Sequence, residues 1–496
     1  MTSAEVGHRY PDGAYEWTVE RDGDQPLVFR HFAPDLVSHL YPPGGINEPI
    51  LLHQGPFTAL ADMIAPERAC DGDIRLCWLP TPKIEVRGEY SPEPGHLEAL
   101  LASGADNTIW HPRLQVRLPD AVGIPLPPPR EAPPWSREPG TAYLGPAEVY
   151  PPEIGDGSAL TKVTGFIPNG WDGHGSRVAD PADRRRTWFG RSTARGGGWV
   201  LDMDALDPGG DLLGKLRREG GYGITHAISL SRADASPFTA DDATQALHAV
   251  RSALSLILGR RTDVVLPVGW SHGQPAWARW TAGQVDTFRE PGTWLDASIA
   301  ADQAGEVIGR FLDCWPDSLR SDTLRYATSY YIQAQALGTE LGTAAAVSGL
   351  LLLGSSWLVE DRHVYSRGAW GNLRPEAESQ VRALLQFSDC RINTAVPGAF
   401  ANLAAVADQL NTARSPDEAP RDGLGCIIKM RNDVMHPTRT KRTKWSFYQW
   451  SEAHSLAAHF LELALLAYVG YRGRYHPRIT ANRWLGYTED VPWTGC

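Results

Sequence analysis

The sequence predicts an α+β protein of several domains, in which a β-rich N-terminal region precedes an all-α helical bundle. The chain has 496 residues, which is too long for a domain built around a single hydrophobic core. Segments in which apolar and polar residues alternate dominate up to Pro316, whereas segments with helical spacing dominate after it. We therefore expect two or three domains, with a change of architecture near residue 317.

Residues 1–118 are predicted to form a β-rich domain. The runs KIEVRGEY (83–90) and RLQVRL (113–118) alternate, and NEPILL (47–52) has the composition of a half-buried strand. FTALADMIAP (57–66) is interpreted as a short helix.

Residues 119–159 are predicted to be a proline-rich connector, or a strap packed on the β domain. Eleven prolines fall between residues 119 and 152. Proline fixes φ and removes a backbone donor, so we expect neither a regular helix nor a central strand there.

Residues 160–316 are predicted to be a mixed α+β region that continues the N-terminal part. ITHAISL (224–230) and DVVLPVG (263–269) are typical of strands, and PAWARWTAG (275–283) alternates. ADDATQALHAVRSALSLIL (240–258) has helical spacing after Thr239, which is a suitable N-cap.

Residues 317–472 are predicted to form a bundle of five or six helices, and residues 473–496 an irregular tail that packs back on it. The helical segments are separated by connections that contain Pro or Gly. They are SDTLRYATSYYIQAQAL (321–337), an uncharged run (341–359), EAESQVRALLQF (376–387), GAFANLAAVADQL (398–410), GLGCIIKMRNDVMH (423–436) and SFYQWSEAHSLAAHFLELALLAYVGYR (446–472).

The uncharged run Leu341–Val359 is interpreted as a buried central helix rather than a membrane span. It is at the lower limit of a span, contains glycines and serines, and is flanked by acids. The N-terminal residues do not have the pattern of a signal peptide. We therefore expect a cytoplasmic protein without a membrane contact.

Composition restricts the classes of function. The formal net charge of −11 argues against a protein that coats nucleic acid indiscriminately, although a local basic patch can still bind it. The six cysteines include no Cys-x-x-Cys pair, which argues against a zinc site or a disulfide framework. No metal and no cofactor are predicted.

The segment from Lys429 to Lys444, KMRNDVMHPTRTKRTK, concentrates positive charge in this acidic chain. Arg431 falls in an apolar helical stripe formed by Leu424, Ile427, Ile428, Val434 and Met435, where a charge needs a partner or a water-lined cavity. Asn432 and His436 share the adjacent face. Pro437 disfavours helical geometry for His436 and leaves its imidazole at the helix C-terminus, where the helix dipole favours the protonated form.

This combination suits cleavage of RNA without a metal. Histidine titrates near neutrality and can remove a proton from the 2′-hydroxyl or donate one to the leaving 5′-oxygen. Arginine can hold two phosphoryl oxygens as negative charge develops. In an in-line displacement the attacking and leaving oxygens lie on opposite sides of the phosphorus, so one histidine does not easily transfer both protons. A second histidine, from the other copy in a symmetric dimer, could transfer the other proton.

The run Arg431-Asn432-Asp433-Val434-Met435-His436 resembles the Arg-polar-x3-His motif of the HEPN superfamily of helical bundles, and the order of helices from about 320 to 472 is similar to theirs. The nearest match is the ApeA-like group of anti-phage abortive-infection proteins, which have a β-rich N-terminal region before such a bundle. The resemblance implies that Arg431 and His436 are catalytic and that Asn432 is the intervening polar residue. This chain departs from many members of the superfamily in that the second helix of its predicted bundle carries no glutamate.

The resulting prediction is an endoribonuclease of an anti-phage or toxin-like defence system, regulated by its N-terminal region. Its expected partners are RNA, with tRNA among the candidate targets, a second copy bound through the bundle, and a phage-derived or cellular trigger. The expected RNA-binding residues are Lys429, Arg439, Lys441, Arg442 and Lys444. The alternative is a non-catalytic HEPN protein that binds RNA, a nucleotide or a partner.

Two rival sites are weaker. Gly269-Trp270-Ser271-His272-Gly273 matches the nucleophile elbow of serine esterases, but the residues after Ser271 alternate like a strand, which favours a hairpin. The run from Arg184 to Trp199 combines arginines and aromatics, which is typical of a single-stranded RNA surface or of a solvated basic edge. His53 and His174 have no ligand-spaced partners and are interpreted as structural.

Overall fold

The structure is a computed structural model. It describes residues 41–61 (except 42), 68–90, 153–171, 175–179, 187–207, 211–436 (except 291, 297, 298, 416 and 417) and 444–494 (except 481–483 and 485), together with seven short strands before residue 150.

The N-terminal region contains two sheets. The first is antiparallel, in the order β1 (Glu5–Arg9), β2 (Tyr15–Val19) and β3 (Leu27–His31). The second has seven strands in the order β10-β8-β4-β5-β6-β9-β7. Its strands are β4 (Ile50–Ala61), β5 (Arg68–Cys77), β6 (Lys83–Tyr90), β7 (Thr108–Ile109), β8 (Leu114–Arg117), β9 (Ala142–Leu144) and β10 (Glu148–Val149).

The central region is an antiparallel sheet of eight strands in the order β11-β18-β17-β12-β16-β15-β14-β13. These strands are β11 (Glu153–Gly155), β12 (Lys162–Pro168), β13 (Ser176–Ala179), β14 (Thr187–Gly196), β15 (Trp199–Ala205), β16 (Ile224–Arg232), β17 (Val265–Ser271) and β18 (Gln274–Arg279). Within the sequence between these strands lie α1 (Leu212–Glu219) and α2 (Ala240–Leu258), and α3 (Ala300–Cys314) follows the sheet.

Helix α3 approaches strand β14 closely because both have glycine at the contact. A Cβ atom at Gly305 would lie 2.5 Å from the carbonyl oxygen of Thr193, and one at Gly309 would lie 2.4 Å from that of Arg195. Gly196 faces the carbonyl of Gly309 in the same way. Because these neighbours are backbone atoms, only glycine permits this spacing between helix and sheet.

The helical bundle follows directly. Its helices are α4 (Ser318–Ala336), α5 (Thr339–Gly354) with a π-helical continuation (Ser355–Asp361), α6 (Arg367–Gly371), α7 (Glu376–Leu385), α8 (Ala401–Thr412), α9 (Gly423–Met435) and α10 (Phe447–Tyr468). No strand interrupts the described residues between 317 and 472. The expected α+β architecture, with a β-rich region before a helical one, is confirmed.

Two hydrophobic cores organise the molecule. One core joins the N-terminal seven-stranded sheet to one face of the central sheet, through residues such as Trp78, Phe166 and Trp280. The other joins the opposite face to α2, α3 and the whole bundle, from Leu160 to Val491. The central sheet is therefore buried on both faces, and the bundle shares a core with it.

Two expectations about local structure are wrong, and two helices were missed. FTALA (57–61) continues strand β4 instead of starting a helix, because it pairs with β5 and β8. The proline-rich range contains β9, which lies between β6 and β7; this is possible because residues 140–145 contain no proline. Helices α1 and α3 were not predicted. The rest of the proline-rich range before residue 153 lies outside the described residues, apart from β10.

The run predicted as a buried central helix forms α5 and its π-helical continuation. Within the described part of the chain, Thr339–Asp361 is the one helix that is long and apolar enough to span a membrane, and most of it is buried inside the bundle.

The C-terminal tail is anchored in the bundle by a buried ion pair. Arg478 donates through Nε and Nη2 to the two carboxylate oxygens of Glu462 on α10, at 2.7 Å each. Tyr331 on α4 donates its hydroxyl to the same carboxylate. The tail also forms a two-stranded sheet from β19 (Arg474–Tyr475) and β20 (Glu489–Asp490).

We predict that Arg478→Ala lowers the free energy of unfolding by about 3–5 kcal/mol, because it leaves the Glu462 carboxylate buried without a counter-ion. Urea denaturation measures the change. Adding Glu462→Gln should restore part of the loss, since an unpaired amide costs less than an unpaired charge. The matched control Arg367→Ala removes an arginine paired at the surface and should leave the midpoint unchanged. An Arg478→Ala midpoint equal to that of the control would contradict this account.

Candidate functional site

Helix α9 carries the candidate residues and changes character along its length. Its first half is buried: Leu424, Ile427, Ile428 and Met430 belong to the core of the bundle. Asp422 caps the helix by accepting a hydrogen bond from the backbone N–H of Gly425 at 2.9 Å. The second half emerges from the core, so that Met435, expected in the apolar stripe, is 46% exposed. The candidate residues therefore lie where α9 leaves the bundle.

Arg431 is half-buried at this rim and is oriented by its neighbour. Its Nη1 donates to Oδ1 of Asn432 at 3.0 Å. Its Nε is buried and has no hydrogen-bond partner in the described structure. Burial lowers the pKa of the guanidinium from its usual value, and no carboxylate among the described residues opposes this effect. Arg431 is therefore a partly desolvated cation for which the described residues provide no counter-ion.

His436 ends the helix, as Pro437 predicts. The helix stops at Met435, and His436 has φ −128° and ψ 63° while its backbone N–H still donates to the carbonyl of Asn432 at 2.9 Å. Its side chain is exposed. Arg431 and Asn432 therefore lie in the last turn of α9, and His436 follows directly after it with its side chain exposed to solvent.

Asp433 connects this turn to the start of α10. Its Oδ1 receives a hydrogen bond from Nζ of Lys429, and its Oδ2 receives one from Nε1 of Trp445 at 3.1 Å. The ammonium of Lys429, a predicted RNA contact, is thus paired within the protein. The hydrogen bond from the indole of Trp445 therefore joins the residue that follows the basic segment to α9.

The basic segment is described only at its end. Lys444 is exposed beside Trp445. Residues 437–443, which include the predicted RNA contacts Arg439, Lys441 and Arg442, lie outside the described residues. Their role in RNA binding stays a prediction.

Two exposed aromatic side chains beside the site were missed in the sequence. Phe447 and Tyr448 begin α10 and are 70% and 69% exposed, with ring centroids 5.8 Å apart. Exposed aromatic rings next to basic residues can stack on unpaired bases. The signal was present: two adjacent aromatics directly after the N-cap Ser446 cannot both point into one apolar face of the helix.

Both rival sites are part of the central sheet. Ser271 ends β17 and pairs with Gln274 across a two-residue turn whose His272 and Gly273 both have positive φ, so the predicted hairpin is confirmed. In β14, Arg191 forms an ion pair with Asp204 at 2.9 Å. Trp199 is buried, and the guanidinium carbon of Arg232 lies 3.8 Å from the centroid of its ring.

Of the two histidines predicted to be structural, only His53 lies within the described residues. His53 is buried, with Nε2 3.2 Å from the carbonyl of Pro56, which fits a structural role. His174 lies outside the described residues, as do residues 184–186 at the start of the arginine-rich run.

The chain matches two family models. The model described as YopA central domain covers residues 155–291, and the one described as YopA C-terminal domain covers residues 317–490. A similar protein is the SPbeta prophage-derived uncharacterized protein YopA of Bacillus subtilis (strain 168), 22% identical over 475 residues, which is 90% of this chain and 96% of that protein. No solved structure matches. The candidate turn lies within the second match, and these findings leave the HEPN resemblance a prediction.

Proposed function

We propose that the helical bundle is a metal-independent endoribonuclease of the HEPN type that cleaves RNA with Arg431 and His436. The observation that carries the proposal is the state of Arg431. Its guanidinium is partly buried, donates a hydrogen bond to the amide of Asn432 and has no carboxylate partner among the described residues. The imidazole of His436 lies five residues further along the chain, just past the helix end. A guanidinium in this state gains more from an anion than one already in an ion pair.

The chemistry assigns a separate task to each group. His436 removes the proton from a 2′-hydroxyl, whose oxygen attacks the adjacent phosphorus and displaces the 5′-oxygen. The guanidinium of Arg431 stabilises the negative charge that develops on the phosphoryl oxygens. The products are a 2′,3′-cyclic phosphate and a 5′-hydroxyl, and the leaving oxygen needs one proton. A second copy of the bundle in a dimer would supply that proton from its own histidine.

RNA would be held by the surface around this turn. Lys444 and the basic residues of 437–443 neutralise phosphates, and the exposed rings of Phe447 and Tyr448 offer stacking surfaces to unpaired bases. A target that presents a single-stranded loop, as tRNA does, suits this combination. Regulation by the N-terminal region and a cytoplasmic defence role complete the proposal. The prophage origin stated in the name of the Bacillus subtilis relative is compatible with a role in phage–host conflict.

We predict that His436→Asn lowers the rate of RNA cleavage by about 10²–10⁴-fold while the affinity for RNA stays nearly unchanged, because the imidazole transfers protons rather than holding the strand. Gel assays of cleavage and fluorescence anisotropy measure the two effects. His272→Asn, in the turn between β17 and β18, is the matched control and should cleave normally. Normal cleavage by His436→Asn would refute the assignment. A wild-type protein that binds RNA and never cleaves it would establish the non-catalytic alternative.

We predict a different effect for the basic segment. Replacing Arg439, Lys441, Arg442 and Lys444 by glutamine should weaken RNA binding and reduce the slope of log K against log salt by about 0.7 for each lost contact to a single strand, because fewer counterions are released. Titrations at several salt concentrations measure this slope. Arg367→Gln, an exposed arginine paired with Glu360, should leave the slope unchanged. An unchanged slope in the quadruple variant would place the RNA elsewhere.

A further inference from the structure

A small polar cavity lies between helix α2 of the central region and helix α4 of the bundle. It has a volume of about 80 Å³, which is room for several water molecules and hence for one phosphoryl group. Arg251, Arg261 and Arg325 line it, and its described lining contains no carboxylate. Three arginines therefore contribute to the lining of the cavity.

Hydroxyl groups supply the remaining polar surface. Ser252 and Ser255 on α2 and Thr328 on α4 line the cavity and are buried. The Oγ1 atom of Thr328 is fully buried and has no hydrogen-bond partner in the described structure. A buried hydroxyl without a partner costs free energy. Rotation of the Thr328 side chain toward the cavity would let an oxyanion there accept a hydrogen bond from this hydroxyl and remove that cost.

Two of the three lining arginines have a carboxylate partner, and the third has none on its side chain among the described residues. Arg325 pairs with Asp322 at 2.8 Å, and Arg251 lies 3.6 Å from the Asp263 carboxylate. The side chain of Arg261 has no carboxylate partner in the described part of the chain; Asp286 contacts only its backbone N–H. Burial, and to a smaller extent the charges of Arg251, Arg279 and Arg325, lower the pKa of His248 on α2 to about 4.

A larger cleft adjoins this cavity. Its volume is about 570 Å³, within the range of small-molecule sites. Arg261 and Gln284 line both spaces. The cleft is bordered by Thr81 and Pro82 next to the N-terminal sheet and by Ala336 of the bundle. The central region contributes Tyr222, Arg289 and residues 283–287, which include the carboxylate of Asp286.

We propose that these two spaces form one binding site for a phosphate ester of nucleotide size, with the phosphoryl group in the cavity and the organic part in the cleft. Guanidinium and hydroxyl groups are the donors that recognise phosphoryl oxygens. A ligand bound there would contact all three regions of the chain. The site is independent of the ribonuclease proposal because it shares no residue with the last turn of α9.

Isothermal titration calorimetry of the full chain with AMP, without metal, tests this site. AMP should bind, and inorganic phosphate should compete but bind more weakly, because it leaves the cleft empty. Arg261→Gln and Arg325→Gln should each weaken AMP binding by about tenfold or more, since each removes a charge-assisted hydrogen bond. Arg367→Gln and His436→Asn should bind AMP as the wild type does, whether or not the protein cleaves RNA.

Four outcomes would overturn the proposal. AMP that does not bind at millimolar concentration, or that binds Arg261→Gln as tightly as the wild type, would remove the phosphoryl site. Adenosine that binds as tightly as AMP would do the same. Inorganic phosphate that binds as tightly as AMP would show that the cleft holds no part of the ligand. Thermal denaturation of each variant confirms that lost binding does not reflect unfolding.

Discussion

The close approach of α3 to strand β14 is the constraint on which the rest of the architecture depends. Gly305 and Gly309 bring the helix so near the strand that a single methyl group at either position would collide with backbone oxygen atoms. The contact packs α3 on the central sheet, and the two share one hydrophobic core with the bundle. Helix α2 packs against α3 and against α4 of the bundle, and the polar cavity lies between α2 and α4. The packing of α3 thus depends on three glycines that no apolar pattern reveals.

Arginine pairing distinguishes Arg431 from Arg382 and Arg478, two arginines that join elements of the bundle. Arg478 meets Glu462, and Arg382 meets Asp422 through two nitrogens, at 2.6 and 2.9 Å. Asp422 and Glu378 raise the pKa of Arg382, whereas burial without a described carboxylate partner lowers that of Arg431. Among the described residues the fold therefore neutralises Arg382 and Arg478 but places no carboxylate against Arg431 at the rim. That difference, more than the spacing of the motif, supports a functional role for Arg431.

The sequence predicted those elements whose pattern is local. The helix capped by Thr239 and the helical segments after residue 317 were correctly predicted because their apolar periodicity and caps lie within the segment. Helix α3 was missed, and strand β4 was cut short at FTALA, whose pairing with β5 and β8 is not visible in its own sequence. At the site, the end of α9 before Pro437 was predictable. Three other features of the site were not predictable, because they depend on how α9 and α10 pack. They are the hydrogen bond from Trp445 to Asp433, the ion pair of Lys429 with Asp433 and the exposure of Phe447.

Cleavage of matched strands in the presence of EDTA tests the central claim most directly. The substrates are an RNA and its fully 2′-O-methylated counterpart, which binds similarly but lacks the nucleophile. The account predicts that only the RNA is cut and that its new ends are a 2′,3′-cyclic phosphate and a 5′-hydroxyl. Cleavage of the methylated strand, or cleavage that appears only when magnesium is restored, would contradict it.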